Sequence, residues 1–171
     1  MLLINRDFDV LRLLCELALE TGSMWIEPAA MMKAAEDSDL SAEYVAESLS
    51  VLRHRRLVDA RESINGEVLD VEVTPVGFDA FALRFLAGYE SLLVEAAHWL
   101  FDHREGGLSN EQLSEALGIE AVLANHVIHV FASRGWLRYG EQDMRGWMPV
   151  YDVSPELSRL ESVESESHGG G

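Results

Sequence analysis

Two histidines, His126 and His129, stand three residues apart in the stretch AVLANHVIHVF. On a helix that spacing puts both imidazoles on one face, where two can share a metal ion. Spacing supplies no third ligand, so a helix face carrying two histidines is the expected reading, with no metal. His98 and His103 are five apart and point in different directions. The chain has no phosphate-cradling glycine loop, no G-x-S-x-G turn and no H-E-x-x-H helix. Carboxylates are abundant, yet nothing in the sequence pairs two of them in an apolar setting for general acid catalysis. The one cysteine, Cys15, lies among Leu13, Leu14 and Leu17 and reads as a small buried hydrophobe. The expectation is a protein that is not an enzyme and needs no cofactor.

Charge narrows the partners. Thirteen basic against thirty acidic side chains give a net charge of −17. The deficit is spread out: 8 basic against 16 acidic in residues 1–86, 4 against 10 in 87–155, and 1 against 4 in 156–171. No segment is locally basic, and such a surface repels a phosphate backbone on average. All the basic residues but Lys33 are arginine. A lysine-poor acidic surface also suits a saline cytoplasm, where screening weakens net charge as a guide to partners. The opening MLLINRDFDV lacks the basic-then-apolar pattern of a secretory leader, and no apolar run reaches membrane-spanning length, so a cytoplasmic location is expected.

The elements that carry these residues recur. In the second half, Leu93, Ala96, Ala97 and Leu100 mark a helix over 90–104, stopped by Gly106 and Gly107. Leu108 reads as a short strand-like entry. Ser109, with Gln112 three residues on, forms a capping-box signature for a short helix ended by Gly118. A third helix turns Leu123, Val127, Ile128 and Phe131 inward until Gly135, and two strands follow around an Asp143–Gly146 turn. The first half repeats this order. A helix over 7–20 is followed by Trp25-Ile26, by a helix opened by Pro28, and by a helix capped by Ser41. Strands at 57–64 and 67–74 then meet at Asn65-Gly66, a strong hairpin signal. Leu52 and Phe131 are 79 positions apart, as are Leu57 and Trp136, while Thr74-Pro75 and Ser154-Pro155 stand 80 apart.

The run from Leu108 to Leu137, with its L-S-x-x-Q-L-S-E-A-L-G-I and V-F-A-S-R-G-W-L stretches, resembles the winged helix-turn-helix superfamily. The resemblance implies a mainly α fold with small β-hairpins (α+β): two tandem winged-helix domains, 1–86 and 87–155, joined by a helix. An acidic tail, 156–171, is expected to be mobile beyond about Leu160.

In DNA-binding members of the superfamily the third helix enters the major groove. Helical spacing puts Glu43, Ala46, Glu47, Ser50, Arg53 and His54 on that face in the first copy. Arg53, Arg55, Arg56 and Arg61 are candidate phosphate contacts, or else a solvated helix end whose cations complement the helix dipole. In the second copy the face is Val122, Asn125, His126, His129 and Ser133, polar but without the basic residues that phosphate binding needs. Trp147, Pro149 and Tyr151 alternate along one strand, and Tyr139 is expected to join them from the opposite strand. They read either as an exposed docking patch or as cover for the domain's own core. Between the copies, Val76, Phe81, Phe85, Leu86 and Tyr89 supply more bulk than a solvent-bridging helix can expose. Either the domains pack on that helix, or it pairs two chains as a homodimer around Phe81–Tyr89, with a bend at Gly88.

The reading that follows is a regulatory or adaptor protein acting through protein–protein contacts, with no membrane. The alternative is a DNA-binding transcription regulator. At fold level the layout resembles the winged-helix subunits that bind kleisins in bacterial chromosome-condensation complexes and those of endosomal sorting complexes.

Overall fold

A computed structural model describes residues 4–65 and 68–161, and the chain divides into two compact units between Leu86 and Ala87. Gly66 and Glu67 of the expected hairpin turn lie outside the described residues, as does the tail from 162 onward.

The first unit runs α1 (Asn5–Thr21), β1 (Trp25–Ile26), α2 (Pro28–Asp37), α3 (Ala42–His54), β2 (Val58–Glu62), β3 (Val68–Val73) and α4 (Pro75–Phe85). The stops and starts follow local chemistry. Gly22 ends α1 in the left-handed conformation, and Pro28 opens α2 where its missing N–H costs nothing. The Ser41 hydroxyl caps α3 by accepting from the Tyr44 amide at 3.2 Å. The strands form one antiparallel sheet in the order β1-β3-β2, with a bulge between Arg61 and Glu62. Val10, Leu11, Leu14, Cys15 and Ala18 of α1 are fully buried at the centre of this unit. Burial pushes the Cys15 thiol well above its ordinary range.

The second unit runs α5 (Tyr89–Asp102), β4 (Leu108–Ser109), α6 (Asn110–Leu117), α7 (Ala121–Ser133), β5 (Arg138–Tyr139) and β6 (Pro149–Tyr151), with a sheet in the order β4-β6-β5. A 3₁₀ turn, Pro155–Arg159, then packs on α5. Its Leu157 is fully buried, and the Leu160 carbonyl lies 3.0 Å from His98 Nε2. Residues 156–160 are therefore part of the unit, not the start of a tail, because an apolar side chain anchors them.

Each unit places helix, strand, helix, helix, strand and strand in the same order, and the joints match in detail. The Leu57 amide donates to Leu52 O at 2.9 Å, and the Trp136 amide to Phe131 O at 3.0 Å. The Thr74 amide donates to Leu57 O at 3.2 Å, and the Ser154 amide to Trp136 O at 2.7 Å. Both third helices pass into their strands through a left-handed residue, Arg56 in one and Gly135 in the other.

Between Phe85 and Tyr89 the helix is interrupted: Leu86 is extended and Gly88 is left-handed. Of the residues that raised a homodimer through this region, Phe81 and Tyr89 are buried, Phe85 and Leu86 are half-buried and Val76 is exposed. Phe78, Phe81 and Ala82 are buried, with α4 packed on α1, and Tyr89 is 3% exposed. On α4, Val76 and Leu83 remain exposed. Among the described residues no single helix is long and apolar enough to cross a membrane.

Candidate functional site

The third helices differ in what they leave open. On α3 only Val45, Ser48 and Leu52 are buried, so Ser50, Arg53 and His54 face outward as helical spacing indicates. The cations at its C-terminal end are partly neutralised. Arg53 Nη1 lies 2.6 Å from Glu62 Oε1, and Arg61 pairs with Asp70. Near the start of the helix, Arg6 lies 2.6 Å from Glu47, and its guanidinium stacks on the Tyr44 ring at 4.0 Å. Arg55 and Arg56 are exposed with no ion pair among the described residues. Four arginines in sequence thus reduce to two unpaired ones at the surface.

On α7 the expected outer face is largely interior. Val122 is 4% exposed and His126 1%. At the start of α5, the Tyr89 hydroxyl lies 2.8 Å from His126 Nε2, with the two rings 6.0 Å apart. Asn125 is half-buried and turned inward, its Oδ1 accepting from Asn110 Nδ2 at 2.7 Å. His129 is half-buried and packs edge-on to Tyr139 at 4.7 Å. Burial, and secondarily the neighbouring His126, hold His129 below its ordinary value. Of the residues expected on this face only Ser133 is exposed, and its hydroxyl donates to Val130 O at 2.8 Å. The two histidines do not converge, since one points to Tyr89 and the other to Tyr139. Among the described residues no group of three His, Cys, Asp or Glu side chains gathers as metal ligands do.

The aromatic residues of the second hairpin separate into two sets. Register pairs Tyr139 with Val150 and Arg138 with Tyr151, and paired residues share a face. Tyr139 therefore lies on the α7 side of the sheet, against His129, and does not join Tyr151. Tyr151 and Pro149 occupy the other face. Their side chains close over Gly140, where any Cβ would lie 2.4 Å from the Tyr151 hydroxyl. Tyr139, Trp147 and Tyr151 retain exposures of 39%, 41% and 46%, so each is half-covered rather than free. Trp147 is set by Asp143, whose Oδ1 accepts from the Arg145 and Trp147 amides at 2.8 and 2.9 Å.

One residue that chemistry-based reading passes over organises this unit. Asn110, 1% exposed, donates from Nδ2 to Asn125 Oδ1 and to Gly146 O, both at 2.7 Å. Its Oδ1 accepts from the Met148 amide at 2.7 Å. A single amide thus ties the start of α6 to α7 and to the hairpin. The signal was present, because Asn110, Leu113 and Leu117 share helical spacing, so a polar residue occupies a core-facing row.

No family model, no curated protein and no solved structure matches this chain.

Proposed function

We propose that this chain is a tandem winged-helix adaptor or regulator that acts through protein–protein contacts and not by catalysis. The repeated element order, the matching joints at Leu57 and Trp136, and the two sheets of like order support the winged-helix reading. The observation that carries the functional half is the closure of α7. A groove-reading helix needs a free outer face, and here Val122 and His126 of that face are buried, with His126 against the Tyr89 hydroxyl. On α3 the outer face is open, but it carries Glu43 and Glu47, and two of its four nearby arginines are held by Glu62 and Asp70. Neither unit offers the run of uncompensated cations on which phosphate affinity rests. The half-exposed Trp147 and Tyr151, with Pro149 between them, are of the kind that anchor protein interfaces.

DNA binding is the second reading, and Arg55 and Arg56 beside His54 favour it. Titrating random-sequence duplex DNA into the full chain at low salt separates the two. The adaptor reading expects no saturable binding at micromolar protein. Tight binding that falls steeply with salt, and is lost in an Arg55→Ala, Arg56→Ala variant, would establish the DNA reading instead.

A further inference from the structure

The outer face of the first unit's sheet carries an arrangement that neither reading uses. Trp25 pairs with Glu72 across β1 and β3, Asp59 pairs with Glu72 across β2 and β3, and Arg61 pairs with Asp70. These side chains share one face. Trp25 is 48% exposed, and Leu69, at the bulge in β3, is 51% exposed. Beside them is a cleft lined by Trp25, Glu27, Pro28, Leu69 and Asp70, among others. The cleft exists because β1 ends at Ile26 and the chain turns into α2 at Pro28. Among the described residues, no strand lies beside the Val68–Asp70 stretch of β3 on that side.

The charge of this face is unbalanced. Asp59, Asp70 and Glu72 are answered by Arg61 alone among the residues of that face. Burial, then the nearby Asp59 and Asp70, raise the Glu72 carboxyl above its ordinary value. Asp70 is 8% exposed, and its Oδ1 is buried with no hydrogen-bond partner among the described residues. Asp70 lines the cleft, and a carboxylate with one oxygen buried and unmatched gains from a further cation or donor beside it. The carboxylates do not gather as ligands for a metal ion. Arg61 shows which cation suits the place. Its guanidinium pairs with Asp70 and lies 5.4 Å from the Trp25 ring centroid, while its side chain remains 67% exposed.

We propose that this cleft receives an arginine or lysine side chain from a basic, extended segment of a partner protein. The aliphatic stem lies along Trp25, Pro28 and Leu69, and the charged end reaches Glu27 and Asp70, joining the exposed Arg61. The proposal rests on the protein-binding reading and gives that partner a chemistry. Occupancy by a cation also relieves the repulsion among Asp59, Asp70 and Glu72.

The test uses the full chain and a short fluorescent peptide of alternating arginine and glycine at about 0.15 M salt, where long-range attraction is damped. A chain of net charge −17 attracts any polycation. The decisive variant is therefore Trp25→Leu, which leaves charge unchanged and alters only a half-exposed side chain. It is expected to weaken binding about tenfold, with Trp25→Phe restoring much of the loss. Asp70→Asn is expected to weaken binding similarly while the chain still unfolds cooperatively, and Leu83→Ala, on the exposed side of α4, to leave it unchanged. Binding by Trp25→Leu within about twofold of the original chain would overturn the proposal and assign the attraction to diffuse charge. Tight duplex-DNA binding would sink the adaptor reading without touching this comparison, so the two failures are distinguishable.

Discussion

Gly77→Ala is expected to destabilise the first unit by about 3 kcal/mol, although it replaces a poor helix former with the best one. Gly77 stands in the first turn of α4, where its amide donates to the Thr74 hydroxyl at 3.0 Å. A Cβ built there would lie 1.9 Å from Leu57 O and 2.7 Å from the Leu57 carbonyl carbon. Both are backbone atoms, so no rotamer change relieves the clash. The Leu57 carbonyl is also held in place, since it accepts from the Thr74 amide at 3.2 Å and from the Thr74 hydroxyl at 3.0 Å. Helix propensity alone would make the same substitution stabilising by up to about 1 kcal/mol. The two causes therefore differ in sign. Urea denaturation separates them: a stabilised variant would show that α4 does not approach the start of β2 this closely.

The second large effect is expected at Asn110. Asn110→Ala removes one buried amide and strands two partners, the Met148 amide and Asn125 Oδ1, while the Gly146 carbonyl keeps only its bond from Gln142 Nε2 at 2.9 Å. Unmet buried polar groups of this kind cost about 1–3 kcal/mol each, and partial relaxation or water entry recovers some of it. A loss of about 3 kcal/mol in the second unit is expected. Asn125→Ala should cost less, because Asn125 is half-buried and Asn110 keeps its other two bonds. Since the chain has two units, each transition has to be fitted separately rather than as one two-state step. A loss under about 1 kcal/mol at Asn110 would mean that the hairpin does not depend on this amide.

Element order was legible in the sequence wherever a local signal decided it. Pro28, Ser41, Ser109, Gly22 and Gly118 each begin or end a helix for reasons confined to a few residues. Which face of a helix stays open depends instead on what packs over it, and that is a long-range property. The row Leu123, Val127, Ile128 and Phe131 was recognisable as core, yet Val122, His126 and Val130 form a second buried row on the same helix. Apolar residues on nearly every side of α7 were the available sign that it is an internal helix. The polarity of Asn125, His126 and His129 obscured that sign, because polar residues inside a fold need partners, such as Tyr89 and Asn110, that no local pattern reveals.

The same distinction explains the hairpins. Alternation correctly grouped Pro149 with Tyr151, whereas the side occupied by Tyr139 depended on a register set across two strands. On the first sheet, likewise, the arginines could be read as a cationic run only until their cross-strand carboxylates were known. Glu62 and Asp70 pair with Arg53 and Arg61, leaving two of the four, and the charge that remains on the sheet's outer face is negative.

The reactivity of the α7 histidines tests most directly whether the outer face of this helix is closed. Brief treatment of the native chain with diethyl pyrocarbonate, followed by mass-spectrometric mapping, compares each imidazole with the exposed His54 of α3. His54 should be modified readily. His126, at 1% exposure and 2.8 Å from the Tyr89 hydroxyl, should stay unmodified until the chain is denatured, with the half-buried His129 between the two. Modification of His126 as fast as His54 would mean that the outer face of α7 is open to solvent, and would return this helix to the candidates for nucleic-acid contact.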